Sequence, residues 1–85
     1  MQHKFWFGVK VLPRDVVLDV QGRAVTQNLT ENGFSQLQQM RIGKYIELSV
    51  EGESVEEAQK QVQKMTEFVL YNPLVEKFSI ERLEK

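Results

Sequence analysis

A single stripe of apolar residues, framed by a start signal and a stop signal, constrains this fold most. Ser54 and Glu57 have the spacing of a capping box, in which two side chains satisfy free amides of a first helical turn. Asn72-Pro73 ends the pattern, because the residue before proline avoids helical backbone. The spacing therefore predicts an amphipathic helix over about 54–71. Its apolar face is formed by Val55, Ala58, Val62, Met65 and Val69.

Two segments alternate between apolar and polar residues, which is the pattern of half-buried strands. The first runs from Phe5 to Val11 and ends at Pro13, because proline cannot donate to a strand ladder. The second contains Phe78 and Ile80. Both segments are predicted to place their apolar side chains on one face of a sheet.

A second helix is predicted over about 19–32. Asp19 is a good N-cap, since its carboxylate can accept hydrogen bonds from first-turn amides. Gly33 suits the left-handed position that closes many helices, with Phe34 folding back onto the last turn. Gly22 in the first turn costs roughly 1 kcal/mol relative to alanine, so this helix is the weaker of the two.

The longest strand-like stretch, residues 36–51, contains a glycine between two cations. Its centre reads Arg41-Ile42-Gly43-Lys44-Tyr45-Ile46-Glu47-Leu48. Glycine inside a strand usually marks a bulge, a bend or the close approach of another backbone. Lys44 interrupts the apolar parity, so the register must be reset. Either one long bent strand or a tight hairpin around Gly43 would achieve this.

The predicted order of elements is β-α-β(β)-α-β, within a single domain covering residues 1–85. It indicates a ferredoxin-like α+β fold, a two-layer sandwich with two helices on one face of an antiparallel sheet. A chain of 85 residues buries a limited core, and it contains no cysteine and one histidine. Disulfides are therefore excluded and a structural zinc is disfavoured, which leaves oligomerisation as the route to extra stability.

The charge and composition of the chain argue against several classes of function. The formal net charge is −1, which argues against nucleic-acid binding, and no apolar run is long enough to span a bilayer. The chain opens directly into a strand pattern without a signal peptide, so we expect a cytoplasmic protein. His3 has no catalytic neighbours in the sequence. The acidic residues around the start of the 54–71 helix fit the dipole of that helix better than a metal site, namely Glu51, Glu53, Glu56 and Glu57.

Two aromatic residues, Trp6 and Tyr45, fall on the strand parity opposite the helix-packed face. A large aromatic on a face that would otherwise be wet suggests a protein interface, although it can also lie along a sheet edge. The hypothesis is that this outer face is buried in a homo-oligomer. Arg41 and Lys44 could contact another subunit, a phosphate or only solvent.

Two blocks of the sequence, residues 18–25 and the segment 41–48 quoted above, carry a family resemblance: Leu18-Asp19-Val20-Gln21-Gly22-Arg23-Ala24-Val25 and Arg41-Ile42-Gly43-Lys44-Tyr45-Ile46-Glu47-Leu48. Together they resemble the PurS family, the small subunit of phosphoribosylformylglycinamidine synthase. Residues 18–25 resemble the family's first block, in which proline commonly stands where this chain has Val20. Residues 41–48 match its second block throughout. Gly33-Phe34 and Asn72-Pro73-Leu74-Val75-Glu76 follow in the family's order.

The resemblance implies a role in a multi-subunit ligase of de novo purine biosynthesis. A glutaminase subunit would release ammonia, and a large synthetase subunit would bind ATP and magnesium and use that ammonia. This chain would carry no catalytic residue and bind no cofactor or metal. It would form a dimer or a tetramer, bridge the two larger subunits and shelter the ammonia route.

Within that picture, two groups of residues are predicted to matter. The interface residues are Trp6, Arg41, Gly43, Lys44 and Tyr45. The residues that shape the start of the first helix are Asp19, Gln21 and Gly22. The alternative reading is a free-standing ferredoxin-like regulatory module that binds a small molecule at a dimer interface.

Overall fold

Three strands form one antiparallel sheet in the computed structural model, which describes residues 3–85. The strands are β1 (His3–Pro13), β2 (Lys44–Gly52) and β3 (Glu76–Leu83), in the spatial order β2-β1-β3. Helix α1 (Val20–Glu31) lies between β1 and β2 in the chain, and α2 (Val55–Met65) lies between β2 and β3. The predicted α+β class is confirmed, with β-α-β-α-β as the order of elements.

The core lies between α2 and one face of the sheet. The central strand β1 contributes Phe7, Val9 and Val11, all fully buried, and α2 contributes Ala58 and Val62. Burying each large side chain of this kind stabilises the fold by roughly 1.5–3 kcal/mol. Half-buried residues of both outer strands and the flanking turns complete this layer, namely Ile46, Leu48, Val50, Phe78, Ile80 and Tyr71.

Helix α2 begins after Ser54, as the capping-box spacing predicts, although Glu57 reaches back to the amide before Ser54 rather than to that of Ser54 itself. The Ser54 hydroxyl accepts a hydrogen bond from the Glu57 amide at 3.2 Å, and the Glu57 carboxylate accepts one from the Glu53 amide at 3.3 Å. After Met65 the helix continues as one π-helical turn, Thr66–Leu70. The predicted helix over 54–71 therefore exists, but its last turn is not α-helical.

The predicted apolar stripe was wrong in the second half of this helix. Met65 and Val69 are exposed, whereas Thr66 is fully buried and donates its hydroxyl proton to the Val62 carbonyl at 2.8 Å. The stripe advances by four residues from Val62 to Thr66, which turns Met65 to the side. The wider π turn then shifts the phase again, so that Leu70 rather than Val69 is half-buried.

The sandwich departs from the prediction in the position of α1. Among residues 3–85, α2 packs on β1 and β2, but α1 has no comparable packing against any strand. Residues 14–43, called the arm below, leave the sheet at the end of β1 and return at Lys44, which pairs with Val11. The expectation of two helices on one sheet face was therefore wrong for α1, whose only buried residue is Gly22.

The arm makes the chain elongated. Its principal extents are 56 × 28 × 13 Å and its radius of gyration is 16.7 Å. A compact domain of the same length has a radius of gyration of about 12 Å. The single chain therefore leaves the arm without the neighbours that a compact fold would supply.

The strand predicted over 36–51 is shorter than expected. Residues 38–43 have no regular structure and β2 begins at Lys44, so one bent strand and a hairpin around Gly43 were both wrong. The predicted parity of the remainder is confirmed, because Ile46, Leu48 and Val50 face the core side. Gly43 therefore lies immediately before the first residue of β2 and does not bend the middle of a strand.

Both ends of α1 were predicted correctly. The Asp19 side chain caps the first turn, and Gly33 has a φ of 98°. The Phe34 amide donates to the Leu29 carbonyl at 3.0 Å and the Gly33 amide to the Thr30 carbonyl at 3.3 Å. This pair of bonds is a Schellman motif, which satisfies the last free carbonyls of the helix.

Candidate functional site

The residues singled out from the sequence lie in two places. Asp19, Gly22, Arg41 and Gly43 meet where the arm joins the sheet, and this cluster is called the joint below. Trp6 and Tyr45 lie on the outer face of the sheet, on the side away from α2. The two remaining residues are exposed at the first turn of α1 and the first position of β2, namely Gln21 and Lys44.

Asp19 connects two segments of the joint through its two carboxylate oxygens. Oδ1 accepts a hydrogen bond from the Gly22 amide at 2.9 Å, which is an ordinary N-cap. Oδ2 accepts one from the Ile42 amide at 2.7 Å, 23 residues further along the chain. The hydrogen bonds from Gly22 and Ile42 lower the pKa of Asp19 below its usual value, because both stabilise the ionised carboxylate.

Arg41 connects the returning end of the arm to the outgoing end. Its guanidinium donates to the Arg14 carbonyl at 3.0 Å and to the Asp15 carbonyl at 2.7 Å. The Asp15 carboxylate lies 3.9 Å from Arg41 Nε and accepts a hydrogen bond from Lys77 Nζ at 3.1 Å. The hydrogen bond from Lys77 and the charge of Arg41 hold the pKa of Asp15 below its usual value.

Two glycines allow the backbones of the joint to approach each other. A Cβ on Gly22 would overlap the Asp19 carboxylate and approach the Met40 carbonyl oxygen. A Cβ on Gly43 would overlap the Val11 carbonyl oxygen at the end of β1. Close approach by another backbone, one of the three roles predicted for Gly43, is therefore confirmed.

The outer face carries a polar network around Tyr45. The Tyr45 ring lies over Gly8, where a Cβ would overlap the phenol oxygen, and its hydroxyl donates to Glu81 at 2.9 Å. Glu81 also lies 3.6 Å from Lys10 Nζ. Desolvation, and then the Glu81 carboxylate, raise the pKa of Tyr45 above its usual value. This side chain spans all three strands, from β2 across β1 to β3.

Trp6 is half-buried on the same face. The Lys85 ammonium lies 4.6 Å from the centroid of the indole ring, within the range of a cation–π contact. Lys85 also donates to Glu47 at 2.7 Å. Both outer-face aromatics therefore have contacts within the chain, and their predicted role in an interface stays a prediction.

Sequence patterns missed an apolar surface at one end of the molecule. Helix α2 ends on the same side of the sheet where the arm departs, since the Arg14 amide donates to the Val75 carbonyl at 2.9 Å. Around this end, Phe68 is 88% exposed and Leu74 is 83% exposed. Further exposed apolar residues of the arm and of the end of α2 are Val16, Leu18, Val20, Phe34, Met65 and Val69, and these eight residues together are called the apolar end below.

Most of these side chains were missed because they belong to no periodic pattern, whereas Met65 and Val69 were assigned by their spacing to the buried face of the helix. The only available signal was negative, since apolar residues outside a stripe or an alternation have no assigned place in a core. Their exposure is reflected in the total surface. The accessible area is 6396 Å², whereas a folded monomer of 9.9 kDa exposes about 5,200 Å².

The described residues contain little that could hold a cofactor. No group of three or more histidine, aspartate or glutamate side chains within residues 3–85 is arranged to bind a metal ion. An open groove of about 420 Å³ runs between α1 and residues 38–41. His3 makes an edge-to-face contact with Phe5, with ring centroids 6.2 Å apart. Among the described helices, none is long and apolar enough to cross a bilayer.

Comparisons of this sequence with known proteins identify a matching family and similar proteins. The family model described as PurS, phosphoribosylformylglycinamidine (FGAM) synthase, matches residues 7–84. The chain is 36% identical over 81 residues to the PurS subunit of that enzyme from Synechocystis, covering 95% of this chain and 81% of the relative.

Solved structures agree with the family match. The purS subunit from Thermotoga maritima superposes with a TM-score of 0.91 at 34% identity, covering 98% of this chain and 95% of that one. A chain in the structure of PurLQS from Thermotoga maritima superposes with a TM-score of 0.90 at 34% identity, covering 95% of this chain and 99% of that one.

Proposed function

The chain belongs to the PurS family of phosphoribosylformylglycinamidine synthase subunits, and we propose that it acts as a non-catalytic assembly subunit of this purine-biosynthetic ligase. It bridges the glutaminase and the ATP-dependent synthetase subunits and shelters the transfer of ammonia between them. The relative in the PurLQS structure supports a multi-subunit assembly. The cytoplasmic location expected from the sequence remains part of this proposal.

The apolar end is the observation that carries the proposal. An isolated domain rarely leaves as many large apolar side chains exposed, with Phe68 and Leu74 each more than four-fifths accessible. The excess accessible area of about 1,200 Å² exceeds the roughly 800 Å² that each partner contributes to a standard interface. A subunit whose task is contact requires such a surface.

A second copy of this chain is the first partner that we assign to the apolar end. A two-fold arrangement lets the same apolar side chains of both copies cover each other, so that one sequence supplies both halves of the interface. The arm gains from its copy the packing that its own sheet does not provide. The dimer then offers its polar outer surfaces to the two larger subunits.

ATP and magnesium belong to the synthetase subunit in this proposal. Residues 3–85 of this chain offer no carboxylate cluster for the metal. No glycine-rich phosphate loop is present in the sequence either. The chain contributes positioning and the exclusion of water, and the chemistry takes place on its partners.

Reconstitution of the complex tests the proposed function. The protein, mixed with the glutaminase and synthetase subunits of its source, should co-purify with both and be required for glutamine-dependent synthesis, with much less effect when ammonia is supplied directly. Unchanged glutamine-dependent synthesis without this chain would refute the proposal. A thermal shift of the isolated protein with amino acids or nucleotides would favour the regulatory module.

Light scattering of matched variants tests the apolar end. Phe68→Ser/Leu74→Ser should weaken self-association at micromolar concentration because it removes two exposed apolar side chains. Gln59→Ser/Gln61→Ser changes two polar residues on the exposed surface of α2 and serves as the control. A double serine variant that dimerises like the unmodified protein would contradict the assignment.

A further inference from the structure

We propose that Asp19 and Arg41 form a positioning joint that fixes the direction of the arm relative to the sheet. The inference rests on the proposed function only where it concerns association with other copies and subunits. It assigns an internal mechanical role to two residues that the sequence suggested as a cap and as an interface contact. The two most characteristic blocks of the sequence then act as one unit.

The geometry of Asp19 goes beyond what a helix cap requires. Serine, asparagine and aspartate cap helices about equally well, because one acceptor oxygen is sufficient. Asp19 uses its second oxygen on the Ile42 amide at 2.7 Å, in the segment that leads into β2. Two acceptors facing two backbone donors suit a carboxylate, whereas an asparagine would turn an NH₂ group toward one of them.

Arg41 completes the joint from the other direction. Its planar fork reaches the carbonyl oxygens of Arg14 and Asp15, where the arm leaves the sheet. A lysine offers one ammonium and cannot reproduce this fork. The outgoing segment, the start of α1 and the returning segment are therefore bonded together at one point.

The glycines bring these segments close enough to bond. Gly22 admits the carboxylate of Asp19 and the carbonyl of Met40, and Gly43 admits the carbonyl of Val11. Any side chain at either position would separate backbones that the hydrogen bonds of Asp19 and Arg41 hold together. Both glycines thus serve the same joint as the two charged residues.

The joint is important because packing does not orient the arm. Within residues 3–85, α1 lacks the sheet contacts that hold α2 in place. A helix tied only at its base would otherwise sample many directions, and a partner would have to select one of them. Fixing the direction in advance lowers the ordering cost of association, which increases affinity without adding a contact.

The decisive variant keeps the cap and removes the second bond. Asp19→Ser retains an acceptor for the Gly22 amide but is too short to hold Ile42 as well. We expect circular dichroism to show unchanged helix content, while exchange of the Ile42 amide accelerates at least tenfold. Residual dipolar couplings of α1 should stop fitting the alignment tensor of the sheet, and the dissociation constant for self-association should rise about tenfold.

Arg41 and Lys44 provide a matched pair within one sequence block. Arg41→Lys retains the charge but loses the fork, so it should uncouple α1 from the sheet as Asp19→Ser does. Lys44→Ala removes a charge three residues away and should leave the couplings unchanged. Equal effects of both substitutions on the couplings would refute the role of the fork.

The readouts separate this inference from the proposed function. If the residual dipolar couplings of α1 in Asp19→Ser still fit the alignment tensor of the sheet, the proposed role of the joint is refuted, whatever the protein binds. If α1 no longer fits the tensor of the sheet but the dissociation constant for self-association is unchanged, the joint does not position the arm for assembly. Should the unmodified protein neither dimerise nor join a complex, the proposed function fails, while the couplings still decide whether the joint exists.

Discussion

The two helices have similar caps but are held in place by different forces. Both begin at a polar side chain that accepts from a first-turn amide, Asp19 for α1 and Ser54 for α2. Helix α2 buries Ala58 and Val62 against the sheet, whereas α1 buries only Gly22. Helix α2 is held along its length by packing, whereas α1 is held at its first turn by hydrogen bonds.

This difference shows that start and stop signals do not determine where a helix packs. Caps satisfy the backbone groups at helix ends, and they do so equally well on a surface and over a core. A continuous apolar stripe is what directs a helix onto a sheet. Helix α1 has caps of good quality but a weak stripe, and it lies beyond the sheet.

The largest expected effect comes from a matched serine substitution in each helix. Val62→Ser should destabilise the protein by about 3 kcal/mol, since it leaves a cavity and buries a hydroxyl group in an apolar layer. Val20→Ser, at a position that is 69% exposed in the single chain, should change the stability of the monomer by less than about 0.5 kcal/mol. Urea unfolding measures both values, and equal losses would contradict the contrast between the helices.

Alanine at two glycines compares the joint with the far end of α1. Gly43→Ala should cost about 1–3 kcal/mol, because its Cβ would displace the Val11 carbonyl at the end of the strand ladder. Gly33→Ala meets no atom within 4 Å, so only its positive φ is strained, at about 1 kcal/mol. Thermal unfolding should rank the two variants in this order, and the reverse order would show that the joint is not close-packed.

Acid should loosen α1 before α2. The folded pKa of Asp19 is lowered, so its contribution to stability is present above the unfolded pKa of about 3.9 and is lost as pH falls through the folded pKa. Helix α2 is held chiefly by the packing of Ala58 and Val62 against the sheet, which does not depend on protonation. Amide exchange should therefore report opening at Ile42 below about pH 4 while the α2 amides stay protected. Simultaneous opening of both helices would contradict this order.

The smallest expected effect concerns the outer face. Tyr45→Phe removes the 2.9 Å hydrogen bond to Glu81 but retains the ring over Gly8. Because Glu81 is exposed and water can replace the phenol, the loss should be less than about 1 kcal/mol. Denaturant unfolding of this variant beside Gly43→Ala shows whether the outer face or the joint contributes more.

The sequence predicted the elements whose signals are local. Alternation identified β1 and β3, and cap residues identified both ends of α1, because each signal lies within a few residues. The position of Asp19 as a cap could be predicted, but its bond to Ile42 could not, since it joins segments far apart in the chain. The outcome for Gly43 was similar: its need for close approach was predicted, while the approaching strand was not.

The failures also have a common cause. Whether Val69 or Leu70 turns toward the sheet depends on one π-helical turn, which the apolar spacing does not encode. The apolar end consists of residues from the arm and from the end of α2, and their exposure depends on how the folded chain packs rather than on their spacing in the sequence. The family resemblance supplied the function, because spacing and composition suggested an oligomer but could not tell which pathway the chain serves.

The position of β1 at the centre of the sheet has a consequence for how fast the chain folds. Its pairings are distant in sequence: Val11 meets Lys44 on one side, and Trp6 meets Leu83 on the other. No strand pair can therefore form by a short hairpin, and the entropy of closing long loops is lost before any ladder bond is gained. Domains dominated by such pairings fold slowly, in milliseconds to seconds. During that interval the apolar strand β1 lacks its neighbours, so dilute, cool refolding should give the highest yield.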